Sequence, residues 1–309
     1  MSERRKTLRE LTIKDNFMFG AVMAEEENCR GFLELALEMP IERVELIREK
    51  SLSYHPEYRG VRLDIYARDQ KNIRYNVEMQ VKKTADLGKR SSFYHSQMNM
   101  EMLASGKPYT ELADSFVIFL CDFDPFGENR YRYTFQNTCD ESKTLRLGDG
   151  KVTMFLSTKG RNGEEVPPSL VNFLKYAGAD LEESQKDFQD DLVKQFQESV
   201  SRVKTSREME EKFMVLEEML REERREGQIE GEREGRIAGE KAGRIAGRSE
   251  GRVQGKTEDI LSFLTDLGAV PEELSQKILR EKDLSVLSGY LKLAARAESL
   301  EQFRKETGL

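Results

Sequence analysis

Two carboxylates and an amide, Asp64 in RLDIYARD and Glu78 with Gln80 in YNVEMQVKK, have the types and spacing to gather around a divalent cation. From Val61 to Ala67 the odd positions are apolar, while Arg62, Asp64, Tyr66 and Arg68 are polar or amphipathic. The same period of two recurs from Ile73 to Val81, with Arg74, Asn76, Glu78, Gln80 and Lys82 on the second face. Paired antiparallel around a three-residue loop, Gln70-Lys71-Asn72, the two strands set Asp69 against Ile73 and Asp64 against Glu78. Asn72 then takes the left-handed position that such a loop needs. Opposed residues bring their Cβ atoms to about 4.5–5.5 Å, and like charges at that separation repel unless something neutralises them. A cation does so, and hard oxygen ligands suit Mg²⁺ or Mn²⁺. Without an ion the same residues read as the solvated side of a half-exposed hairpin, and a two-residue loop would put the carboxylates on opposite faces.

Other chemistries lack material. The two histidines, His55 before a proline and His95 on a helix, suit surface or packing roles and leave little material for zincin or Ser/His/Asp arrangements, although one His can still act as a base. Cys29, Cys121 and Cys139 are scattered without zinc spacing, as expected of a reducing cytoplasm. No apolar run approaches a membrane span and MSERRKTLRE has no apolar stretch, so a cytoplasmic protein is expected. The net charge of −7 argues against general avidity for DNA. Lys82, Lys83, Lys89 and Arg90 nevertheless cluster just past the carboxylates, either where a phosphate backbone would lie or as the solvated start of a helix.

The elements that must position this pair read as α/β. Helices are expected at 15–24, 28–38 and 86–105, and strands at 43–54, 115–122, 131–136 and 151–156. Within the 86–105 helix, Arg90, Tyr94, Gln97 and Glu101 share one face, and Phe93, Met100 and Ala104 form a candidate core stripe. After Pro167-Pro168 the apolar spacing turns helical, at 170–176 and again over 188–226, which predicts a catalytic domain over 1–185. A helical segment over 186–256 follows, with glycine at every fourth position from 227 to 255. Each helical glycine costs about 1 kcal/mol relative to alanine, so the repeat packs closely or frays. Residues 217–235 hold eight Glu and four Arg, and 236–256 hold two Glu and six Lys or Arg. That asymmetry fits a low-complexity, partly helical linker, and also an arm through which two copies pair antiparallel. Residues 257–309 read as a small helical unit for assembly or regulation.

An isolated Asp, a short hairpin and then Glu-x-Gln resembles the PD-(D/E)XK nuclease superfamily. More narrowly the chain resembles the Rpn recombination-promoting nucleases, also described as PD-(D/E)XK family transposases. LTIKDNFMFGAVM is similar to the family's opening Asp-x-x-Phe-Lys helix through Asp15, Met18 and Phe19, without the Lys. GKRSSFYHSQMNMEMLASGKPYTEL resembles the family's helix ending in Gly-x-x-Tyr, carried by Arg90, Tyr94, Gly106 and Tyr109, and SFVIFLCDFDPF follows as the next strand. VKQFQESVSRVKTSREMEEKFMVLEEMLREERREG resembles the helical lead into a Gly-rich tail.

The resemblance implies a restriction-endonuclease-like core, a mixed sheet flanked by helices, with a long helical extension and a helical end unit. It implies a Mg²⁺-dependent (Mn²⁺ as alternative) endonuclease acting on DNA, with a homo-oligomer assembled through the C-terminal helices. Asp64 matches the first acid, Glu78 the second, and Gln80 the position usually held by Lys. Lys82 either supplies the missing cation from one pleat away or is a solvated strand-end lysine. Arg90 and Gln97 are candidates for phosphate contact, with Tyr94 and Asp15 as accessory residues. The departure at Gln80 also keeps open a non-catalytic, DNA-associated or protein-binding module on the nuclease scaffold.

Overall fold

The computed structural model describes residues 6–47, 51–52, 61–62 and 64–309. His55, Leu63 and part of the 43–54 strand expectation lie outside the described residues. Helices α1 (Asn16–Met23) and α2 (Glu26–Leu37) lead into β1 (Val44–Leu46) and a short pair, β2 (Ser51–Leu52) and β3 (Val61–Arg62). Next come β4 (Ile65–Asp69), β5 (Arg74–Gln80), α3 (Leu87–Met102), β6 (Ser115–Cys121), β7 (Arg132–Phe135) and β8 (Lys151–Ser157). The remaining elements are α4 (Pro168–Gly178), α5 (Asp191–Thr205), α6 (Arg207–Asp266), α7 (Glu272–Arg280), α8 (Leu284–Ala294) and α9 (Leu300–Thr307).

A mixed six-stranded sheet in the order β1-β4-β5-β6-β8-β7 forms the centre. The β4–β5 hairpin is antiparallel, with Ile65 against Val77 and Arg68 against Arg74, and β5, β6 and β8 run parallel. Its turn is built by Asp69, whose Oδ1 accepts the Lys71 and Ile73 amides at 2.9 Å each, while the Asp69 amide donates to the Ile73 carbonyl at 3.2 Å. Asn72 closes the loop at φ +64°, a conformation that Asn adopts at little cost.

Both faces of the sheet are covered, so strands that alternate in sequence do not alternate in exposure. Ile65, Ala67, Tyr75, Val77, Met79, Ile118 and Leu120 join one core with Phe19, Phe32, Phe173 and Phe196 of α1, α2, α4 and α5. Tyr66, Val117, Phe119, Cys121 and Phe155 form a second core beneath Leu87, Tyr94 and Met98 of α3. The polar face of β5, which the alternative reading left in solvent, is therefore buried: Asn76 is 0% and Glu78 is 3% exposed. Helix α3 is also turned the other way from the expectation, with Tyr94 and Gln97 buried and Phe93, Met100 and Ala104 exposed. The physical reason lies underneath, where the polar groups of β5 need hydrogen-bond partners once water is excluded, and an apolar stripe supplies none.

The chain forms two compact units, Met1–Glu217 and Glu218–Leu309. The helix expected over 188–226 divides at Ser206 into α5 and α6, and the start of α6 still serves the first unit, where Phe213 packs against Phe17 at 5.1 Å. The second unit has its own core of Ile260, Leu264, Leu274, Ile278, Leu287 and Phe303. Along α6 the glycine repeat is helical throughout, and among the described residues no atom other than the local helix backbone lies within 4 Å of where a Cβ would sit at any of its eight glycines.

One glycine in the first unit is dictated by close approach of two backbones. A Cβ at Gly160 would stand 2.5 Å from the Tyr131 amide nitrogen and 2.6 Å from its Cα, and backbone cannot rotate away as a side chain can. Gly160→Ala is expected to destabilise the first unit by about 2 kcal/mol, the scale of overpacking, read as a lower denaturant midpoint.

Candidate active site

Glu78 sits mid-sheet because β5 is central, with β4 on one side and β6 on the other. One step beyond the Ile65–Val77 pair, the same register sets Asp64 against it. The Asp64 backbone amide donates to the Glu78 carboxylate, and the Asp64 charge acts on it. Asp64 itself lies in a bend and is exposed, so the pair consists of one buried and one solvated carboxylate. Burial, and then Asp64, push the Glu78 carboxyl up to about 7, against the pull of Arg90 and Asn76.

Arg90, four residues into α3, organises the rest. Its Nη2 donates to Glu78 Oε2 at 3.0 Å and its Nη1 to Gln80 Oε1 at 2.9 Å. The Tyr94 hydroxyl, one helical turn on, accepts from Arg90 Nη2 at 2.9 Å, and the guanidinium lies 5.7 Å from the centre of the Phe119 ring. A planar fork with donors on both arms can hold two acceptors in fixed relation, which a lysine cannot. The Gln80 orientation follows, since Arg90 can only donate: the amide oxygen is committed and the NH₂ remains as a donor. Arg90→Met is expected to destabilise the protein by about 2 kcal/mol at pH 8, where Glu78 is ionised, and by much less at pH 5, where it takes up a proton. Melts at the two pH values check this.

Five of the residues singled out in sequence, Asp64, Glu78, Gln80, Arg90 and Tyr94, are thus brought together. Gln97, one turn beyond Tyr94, is 7% exposed, and its Oε1 has no hydrogen-bond partner. Lys82 is not on the strand face expected of it: β5 ends at Gln80 and Lys82 lies exposed in the bend that follows. The cation beside Gln80 comes from Arg90 instead. The Asp15 carboxylate is engaged elsewhere, accepting the Thr12 amide at 2.7 Å and pairing with Lys6 at 2.8 Å. His95 is buried between Ser115 and Thr153, and burial pushes it down to about 4.

Sequence reasoning passed over Asn76. It is fully buried two residues before Glu78, its Nδ2 donates to Glu78 Oε1 at 3.4 Å, and its Oδ1 has no protein partner. Its place on the polar face of the alternating pattern was the available signal. Among the described residues no group of three or more His, Cys, Asp or Glu is positioned for a metal. A set of two carboxylates with hard amide oxygens fits Mg²⁺, which keeps several waters and takes one or two carboxylates, and does not fit Zn²⁺.

A mixed sheet with an opposed acid pair at the β4–β5 hairpin, covered by a helix that crosses to the next parallel strand, defines a restriction-endonuclease-like fold. A family model described as PD-(D/E)XK nuclease family transposase matches residues 13–230, and the chain belongs to that family. No curated protein and no solved structure matches it. Among the described residues no helix is long and apolar enough to cross a membrane.

Proposed function

We propose that this chain is a Mg²⁺-dependent DNA endonuclease, with Asp64 and Glu78 as metal ligands and Gln80 and Arg90 completing the site. The observation that carries this reading is the opposition of Asp64 to a buried Glu78, whose carboxyl is raised by its burial and by the Asp64 charge. A buried carboxylate beside a second one is costly to ionise unless a cation shares it. When bound, the ion would supply Lewis acidity to a water and to the phosphate charge. Glu78 holds its carboxylate fixed by the Arg90 fork and the Asp64 amide. Gln80, its amide oxygen held by Arg90, keeps its NH₂ as a hydrogen-bond donor for a phosphate oxygen or the lone pair of a water. It cannot remove the proton, so the proton leaves to solvent or to a substrate phosphate oxygen. Arg90 supplies the fixed positive charge that a lysine at position 80 would otherwise bring.

Exposed Ile229, Ile237 and Ile245 between the open glycines of α6 support pairing of two copies as part of the same reading, as does the acidic-to-basic gradient along that segment. The cytoplasm is the expected compartment. The test is incubation of purified protein with plasmid DNA in Mg²⁺ and in EDTA. Conversion of supercoiled to nicked or linear DNA in Mg²⁺ alone is expected, and intact plasmid in both would overturn the reading.

A further inference from the structure

On the α3 side of the sheet an aromatic row leads away from the carboxylates and surfaces. Phe119, the β6 partner of Glu78 in register, stacks on Phe155 of β8 with ring centres 5.0 Å apart and planes at 12°. Phe155 in turn receives Phe126 edge-on at 5.0 Å and Phe135 of β7 at 5.8 Å. Phe119 and Phe155 are buried, whereas Phe126 and Phe135, 5.1 Å apart, are each 47% exposed.

The exposed pair is held in place. Asp124 accepts the amides of Phe126 at 3.1 Å, Gly127 at 3.0 Å and Asn129 at 2.7 Å, and the Tyr133 hydroxyl at 2.8 Å. Gly127 at φ +84° and Asn129 at φ +56° let the loop turn tightly enough for this. Lys83 Nζ donates to the Asp124 carbonyl at 3.1 Å, tying the loop to the chain just past Gln80. Two strand spacings of about 4.8 Å separate Glu78 from Phe155, and Phe126 lies one ring contact beyond. The aromatic pair is thus about 15 Å from Glu78, with Asp64 one strand spacing further on.

A pinned loop that leaves two phenyl rings about half exposed, with Lys83 bonded to it and Lys82 exposed next to Lys83 in the chain, suits a ligand that is flat, π-rich and negatively charged at its edge. Nucleotides have that chemistry, and an unpaired base can lay its face on a side chain without the cost of unstacking a duplex. We propose that Phe126, backed by Phe135, is a stacking platform for an unpaired base of a DNA strand whose phosphates pass Lys82 and Lys83 on the way to Asp64 and Glu78. The proposal rests on the nuclease reading and adds to it a substrate class, DNA with a single-stranded stretch beside the cut.

Fluorescence anisotropy in EDTA, with an oligo(dT) strand and a duplex of about 20 nucleotides each, tests it. Stacking is worth about 1–3 kcal/mol per base, so Phe126→Ala should weaken single-strand binding about 5- to 100-fold and duplex binding less than about twofold. Phe126→Trp should retain single-strand affinity. Phe126→Leu keeps the apolar packing on Phe155 without the ring, and it should behave as the alanine variant does. Wild-type affinity in the leucine variant, equal losses for both DNA forms, or no single-strand binding by the parent protein would each overturn the platform. Plasmid cleavage in Mg²⁺ separates the two readings. Cleavage without dependence on Phe126 in the binding assay removes the platform and leaves the nuclease; Phe126-dependent binding without cleavage does the reverse.

Discussion

Replacing Asp64 by alanine is expected to lower Mg²⁺-dependent plasmid cleavage by at least about 10³-fold, the scale of losing a major electrostatic contribution at a reacting centre. The fold should survive, because Asp64 is exposed and its removal opens no cavity. Its charge also raises the cost of ionising Glu78, so the metal-free variant should melt at the parent temperature or above it. That pairing of lost activity with undiminished stability distinguishes a ligand from a structural residue. Undiminished cleavage by a contaminant-free preparation of the variant would take Asp64 out of the chemistry.

Glu78 makes the second large effect, on stability as a function of pH. Its carboxyl is raised from the ordinary 4.5 to about 7, so between those values the unfolded chain has released a proton that the native protein keeps. The native state then binds more protons, and stability falls as pH rises through this window. The change amounts to about 3 kcal/mol by pH 8, at 1.36 kcal/mol per pKa unit. Denaturant titrations of the EDTA-treated protein at pH 5 and pH 8 measure it, and Glu78→Gln should flatten the dependence. Mg²⁺ should restore stability chiefly at the higher pH, where the ligand is free of its proton. A Glu78→Gln protein with the same pH dependence as the parent would show that another group carries the effect.

The hairpin was legible because its register depends on local rules. Alternation gave the faces, and a three-residue loop closed by Asn72 gave the opposition of residues 64 and 78, while a two-residue loop stayed open until the register decided between them. What covers the polar face was not legible in the same way. Arg90, Tyr94 and Gln97 share a helical face in any reading, but whether that face meets water or the sheet depends on the polar atoms of β5, which are distant in sequence. Apolar spacing alone favoured Phe93 and Met100 as the buried stripe and chose the wrong side. The reach of Arg90 to both Glu78 and Gln80 is a tertiary contact with no periodic trace. Residues 119, 126, 135 and 155 come from four separate segments, and only the sheet order makes them neighbours.

The eight glycines of α6 stand in open space within a single chain, so no internal contact requires any of them to lack a side chain. Alanine at each would strengthen the helix by about 1 kcal/mol, so the stretch from 227 to 255 is a soft part of α6. On warming it should exchange its amide protons before the core of Ile260, Leu264, Leu274 and Phe303 in the same unit gives way.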